Sequence, residues 1–174
     1  DPDQLRVYRR AGAVDGLAAE LVEIGRLKSK SSLKRQPEKK DKQMIEYSNS
    51  KTITAEQFAG VLERSGIRRP TTDLPRLQTM LDQADILWTA WDGANLVGVA
   101  RSLTDFAYAC YLSDLAVDTA CQHQGIGREL VRRTQAQIGE KVALILLSAP
   151  AAMDYYPKIG FEKAENAFIV KRTA

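Results

Sequence analysis

The stretch Gln122-His123-Gln124-Gly125-Ile126-Gly127-Arg128 constrains the fold more than any other part of the chain. An apolar, strand-like run from Tyr111 to Val117 precedes it, and an amphipathic, helix-like run follows it. Glycine at 125 and 127 lets backbone N–H groups crowd around one point without side chains in the way. A helix that starts there adds its own free N–H groups and the positive end of its dipole. Strand, glycine turn and helix together make a cradle for phosphate.

Two common phosphate loops are excluded. A dinucleotide fingerprint needs a small residue three positions after the second glycine, for close helix packing. That position is Leu130. A P-loop needs Lys followed by Ser or Thr after a longer loop, and neither is present. What remains is Gln-x-x-Gly-x-Gly at 122–127, five residues after Val117. This closely resembles the acetyl-coenzyme-A signature of the GNAT N-acetyltransferase superfamily. Asp154-Tyr155-Tyr156-Pro157-Lys158-Ile159-Gly160-Phe161 resembles that family's downstream Phe-Tyr-x-Lys-Leu-Gly-Phe box. The interval from Gly127 to Tyr156 has room for one helix, one strand and a turn, and the resemblance covers about residues 44 to 174.

The pattern after residue 44 predicts a mixed α/β fold. A strand is expected from Met44 to Asn49. Thr54 caps a helix carrying Phe58, Val61 and Leu62 that stops near Gly66. Thr72 or Asp73 caps a second, with Pro75 tolerated in its first turn. Strands at Ile86–Trp91 and Leu96–Leu103 join through an Asp92-Gly93 turn, and a fourth runs from about Tyr108 to Val117. The helix after the glycine loop presents Ile126, Leu130, Val131, Thr134 and Ile138 on one face. Val142–Leu147 reads as a fifth strand covered on both faces. A short helix holding Tyr155 and Tyr156 and a last strand at Phe168–Lys171 complete the order. The resemblance implies a mostly antiparallel central sheet, flanked by helices and splayed between strands 4 and 5.

It also implies the chemistry. An acetyl group would pass from acetyl-CoA to a primary amine, on a small molecule or a protein, by direct attack in a ternary complex. The pantetheine arm would pair with the backbone of Leu115, Ala116 and Val117. The pyrophosphate would meet Gln122, His123, Gln124, Gly125, Ile126, Gly127 and Arg128, mainly through amides, with a charge-assisted contact from Arg128. Tyr156 matches the family tyrosine that protonates the departing thiolate, and Tyr155 takes a packing position. An amine of pKa near 10.4 is neutral in only roughly one molecule in 2,500 at pH 7, so its proton needs an acceptor. Asp114 is the nearest acidic candidate in sequence, and Asp105 is the alternative at the substrate mouth. Many relatives carry an Asn just after strand 5. Ala149 stands there, with Ser148 as a possible substitute. A non-catalytic acyl-CoA-binding sensor is the competing function. Trp88, Trp91, Phe106 and Tyr108 form either the wall of an aromatic pocket or the outer face of the meander.

Composition limits the class. The 174 residues are 44% hydrophobic, with one His and two cysteines. Cys110 and Cys121 lack metal-ligand spacing and are too few for a disulfide framework. No apolar run approaches the roughly 20 residues of a membrane span. The expectation is a cytoplasmic, metal-independent protein with no membrane contact, and a homodimer is allowed. Positive charge gathers at Arg26, Lys28, Lys30, Lys34, Arg35, Lys39, Lys40 and Lys42, against Glu38 and Asp41. Residues 1–43 therefore read as a basic appendage, with Val14, Leu17, Leu21 and Ile24 at helical spacing and a solvated linker after them. Nucleic-acid contact through clustered cations is the sharper reading of that linker, but no aromatic residues interleave it. Residues 44–174 form the expected catalytic domain.

Overall fold

The computed structural model describes residues 44–173. The short helix and basic linker expected within residues 1–43 lie outside the described residues.

Helix α1, Ala55–Ser65, forms where the sequence signals its two ends. Thr54 Oγ1 accepts the Gln57 N–H at 3.2 Å, and Gln57 Oε1 accepts the Thr54 N–H at 3.0 Å, which satisfies two end donors reciprocally. Gly66 takes the left-handed conformation, φ 77°, that stops the helix. The helix buries Phe58, Val61 and Leu62 completely, each contributing about 1.5–3 kcal/mol from apolar burial. Helix α2, Leu74–Asp82, is capped by Asp73, whose Oδ1 accepts the Arg76 N–H at 3.1 Å.

Five strands form one sheet in the order β1 (Glu46–Ser48), β2 (Ile86–Asp92), β3 (Asn95–Thr104), β4 (Ala109–Val117) and β5 (Ala143–Ile145). All neighbours are antiparallel except β4 and β5, which run parallel. Helices α1 and α2 cover one face through a core containing Phe58, Leu62, Leu77 and Val99. Helix α3, Ile126–Ile138, covers the other through Ile126, Leu130 and Val131. A Cβ on Gly98 of β3 would stand 3.2 Å from both Ile126 and Leu130, so the missing side chain seats the start of α3 against the sheet.

Two features open the site. Arg101 pairs with Asp114 but Ser102 pairs with Leu112, which leaves Ser113 as the extra residue of a β-bulge in β4. The bulge reverses the alternation: Cys110 and Leu112 face α3, whereas beyond it Leu115 and Val117 do, and Ala116 joins the α1 core. Pairing of β4 with β5 is confined to Ala109–Tyr111 against Ala143–Ile145. From Leu112 onward β4 is paired on its β3 side alone among the described residues. This is the splay the resemblance implied.

Three expectations are corrected. The fifth strand spans three residues, and Ile145 and Leu147 are exposed on the face that α1 and α2 leave open, so it is not covered on both sides. Its uniform apolarity matched a fully buried strand and could not reveal a half-open one. The expected last strand at Phe168–Lys171 is not formed, and Phe168 and Val170 are almost wholly exposed. The expected helix at Tyr155–Tyr156 is instead a pair of short 3-10 turns, Pro150–Ala152 and Tyr156–Ile159. Pro150 and Pro157, each lacking an N–H, are well placed to start such turns but not to continue a helix.

Candidate functional site

The glycine loop is built by alternating backbone geometry. Asp118 Oδ1 accepts the Ala120 N–H at 2.9 Å and starts a 3-10 turn over Thr119–Cys121. Arg64 Nε donates to the other carboxylate oxygen of Asp118 at 2.6 Å, fixing the turn to α1. His123 and Gly125 then take positive φ, 62° and 85°. Left-handed residues spaced this way direct successive N–H groups into one concavity. The first helical bond of α3 runs from the Glu129 N–H to the Gly125 carbonyl at 3.0 Å. The N–H groups of Ile126, Gly127 and Arg128 therefore project from the helix end without helical partners.

That concavity opens into a cavity of about 610 Å³ between the C-terminal end of β4, the glycine loop and the segment Ala151–Ile159 that follows β5. Leu115 and Val117 form its wall, with Gln122, His123, Gly125, Ile126, Gly127 and Arg128 at the loop and Tyr155, Tyr156 and Lys158 opposite. Nine of the sequence-assigned site residues meet here. Gln124 and Ala116 do not line it: Gln124 Nε2 turns back to the Ala120 carbonyl at 3.5 Å, and Ala116 faces the α1 core. Among the described residues the lining holds Arg128 and Lys158 and no carboxylate. Unpaired amides, two cations and no anion suit a diphosphate.

Tyr156 stands edge-on to Tyr155, with centroids 5.4 Å apart, and edge-on to Phe161 at 5.5 Å. Burial, and then Tyr155, push its phenol above the ordinary value near 10. It is a protonated donor at neutral pH. Tyr155, in the packing position of the resemblance, also lines the cavity, and its hydroxyl lies 2.8 Å from where a Cβ of Gly127 would be. Lys158 and Cys121 were missed as lining residues. Burial raises the Cys121 thiol, so it is no ready nucleophile.

The acidic candidates sit elsewhere. Asp114 is fully buried on the α1–α2 side. Its oxygens accept from Arg69 Nε at 2.5 Å and Arg101 Nε at 2.6 Å, while Arg101 also donates to Ser113 Oγ and Arg69 to the Ser113 carbonyl, each at 2.8 Å. Asp105 accepts the N–H groups of Ala107, Tyr108 and Ala109 and so holds the β3–β4 turn. Ser148 Oγ donates to the adjacent Ala149 carbonyl at 2.8 Å and does not line the cavity. The four aromatic residues do not share a pocket. Trp88 packs under α3 with Arg133 over its ring, Trp91 is buried in the opposite core, and Phe106 and Tyr108 are exposed.

Comparison with known proteins agrees with this geometry. The acetyltransferase (GNAT) domain family matches residues 62–172. The chain belongs to the GNAT acetyltransferase family. Within it, the chain is similar to the GCN5-related N-acetyltransferase 2, chloroplastic, of Arabidopsis thaliana, 35% identical over 70 residues, covering 39% of this chain and 27% of that protein. It is also similar to the serotonin N-acetyltransferase 2, chloroplastic, of Oryza sativa subsp. japonica, 27% identical over 104 residues, covering 56% of this chain and 52% of that one. The chain thus spans about half or less of the curated relatives it matches. In fold it is similar to the aminoglycoside N-acetyltransferase AAC(6')-Iy in complex with CoA, at TM-score 0.56 and 15% identity, covering 75% of this chain and 96% of that one. As in GNAT proteins generally, acetyl transfer is the chemistry that the family supports. Among the described residues no group of acids, His and Cys could hold a metal, and no helix is long and apolar enough to cross a membrane.

Proposed function

We propose that this GNAT domain is an acetyl-CoA-dependent N-acetyltransferase acting by direct attack of a primary amine in a ternary complex. One observation carries the reading: a single cation-lined cavity joins the splayed edge of β4, the glycine-loop amides and Tyr156. Acetyl-CoA would supply the activated thioester. The amides of residues 122–128 and Arg128 would hold its diphosphate, and the backbone edge at Leu115–Val117, where Gln122 Nε2 donates to the Val117 carbonyl at 3.1 Å, would offer its remaining groups to an extended, amide-bearing arm. Tyr156 would give its phenolic proton to the leaving sulfur. Asp114, bonded through both oxygens to guanidinium groups, we read as the buried anion that fixes the bulge, not as the proton acceptor. Residues 1–43 we read as a basic appendage to this domain.

The engagement of Asp114 also favours a second reading, a non-catalytic acyl-CoA sensor, since no carboxylate among the described residues lines the cavity. Thiol release measured across an amine panel, beside direct CoA binding, separates the two. Turnover that drops at least tenfold in Tyr156→Phe with binding retained supports the enzyme. Tight binding without turnover of any amine supports the sensor.

A further inference from the structure

The sheet face opposite α3 carries an apolar row that coenzyme binding does not use. Leu103 of β3 is the register partner of Tyr111 of β4, and Tyr111 is the partner of Ile145 of β5. These three side chains and Leu147 are 39%, 37%, 49% and 53% exposed. Adjacent strands lie about 4.8 Å apart, so the row spans roughly 10 Å from Ile145 to Leu103. Cys110, Leu112 and Leu144, which alternate with Tyr111 and Ile145, pack under α3, which places the row on the other side of the sheet from the coenzyme cavity. Its β5 end is where β4 and β5 part. A thioester held in that gap from the α3 side leaves this face as the open approach for an amine.

Charge marks the far end of the row. Beyond Leu103 a groove of about 690 Å³ lies between α2 and β3, with Arg101, Arg76, Met80 and Asp73 in its lining. Arg101 is only 4% exposed. It shares Asp114 with Arg69, so two guanidiniums meet one carboxylate, and the groove's lining carries Arg76 and Arg101 against Asp73 alone. Arg76 is exposed and has no ion-pair partner among the described residues. Asp73, the carboxylate of the groove, caps α2 through the Arg76 backbone N–H.

We infer that the acceptor is a primary amine on an apolar body with an anionic group at its far end. It lies along Leu103, Tyr111 and Ile145, with the amine at the β4–β5 gap and the anion toward Arg76 and Arg101. This rests on the acetyltransferase reading above. The neutral amine nitrogen bonds to the acetyl carbon, the carbon–sulfur bond breaks and Tyr156 protonates the sulfur; the new amide sheds its extra proton to solvent, from which the Tyr156 phenolate regains its own. A polycation such as spermidine brings charge of the wrong sign against the Arg76 guanidinium, which works as a repulsive filter.

The test compares 4-(2-aminoethyl)benzoate, phenethylamine and spermidine as acceptors for the full chain, with acetyl-CoA binding measured separately. The expected result is a kcat/KM for the benzoate at least tenfold above both other amines. Arg76→Glu, at an exposed position outside the coenzyme site, is expected to cut that preference at least tenfold without changing acetyl-CoA affinity. Equal use of the three amines, preference for spermidine, or a preference untouched by Arg76→Glu overturns the inference while the acetyltransferase reading stands. Coenzyme binding with no turnover of any amine removes both.

Discussion

The Tyr155 hydroxyl lies 2.8 Å from the point where a Cβ on Gly127 would stand. A side chain at 127 would therefore press on the tip of Tyr155, the residue just before the Tyr156–Ile159 turn. Alanine in a helix gains about 0.5–1 kcal/mol over glycine, but overpacking costs about 1–3 kcal/mol. Gly127→Ala should lower stability by about 1 kcal/mol in chemical denaturation. With Tyr155→Phe the hydroxyl is gone and the nearest remaining ring atom is the Cζ at 3.6 Å, an ordinary contact. In that background the same alanine should become neutral or stabilising. A loss of equal size in both backgrounds would show that the hydroxyl is not the obstacle.

Asp114→Asn should destabilise the domain by about 3–5 kcal/mol, because it strands two guanidinium groups beside a buried strand. If the carboxylate is structural, any folded Asp114→Asn enzyme should keep the pH profile of kcat. A lost acidic limb would instead assign it proton transfer.

Much of this arrangement is legible in the residues alone. Thr54, Gln57 and Gly66 announce both ends of α1 through local hydrogen bonds and one left-handed position, so they need no tertiary information. The glycine loop is legible for the same reason. The bulge at Ser113 is not, because alternation on β4 is written in residues that suit either face. Asp114 resembled a base for that reason: only the fold brings Arg69, 45 positions away, to its carboxylate. Gly98 did carry a signal, since a lone glycine inside a strand marks close approach of another element. Tyr155 carried none, as an aromatic beside an aromatic reads equally as packing.

The pH dependence of turnover should follow Tyr156. Its pKa is raised, chiefly by burial, so the phenol is protonated throughout the neutral range. Turnover should climb from neutral pH as the amine loses its proton, and fall again as pH rises through the raised phenol value. Tyr156→Phe should be at least tenfold slower and lack that basic limb. The same shift makes folding stability full below the unfolded phenol pKa of about 10 and declining above it. A basic limb that survives in the phenylalanine variant would move the proton donor elsewhere.

Gly125 provides the most direct measurement. Its φ of 85° is strained for any side chain, and a Cβ there would meet no atom within 4 Å, because it would project into open space at the loop. Valine at this position should distort the N–H concavity and crowd a diphosphate. Titration calorimetry of acetyl-CoA should give measurable binding to the native chain and at least tenfold weaker binding to a folded Gly125→Val protein. Equal affinities, or no heat of binding to the native chain, would contradict a diphosphate site at residues 122–128.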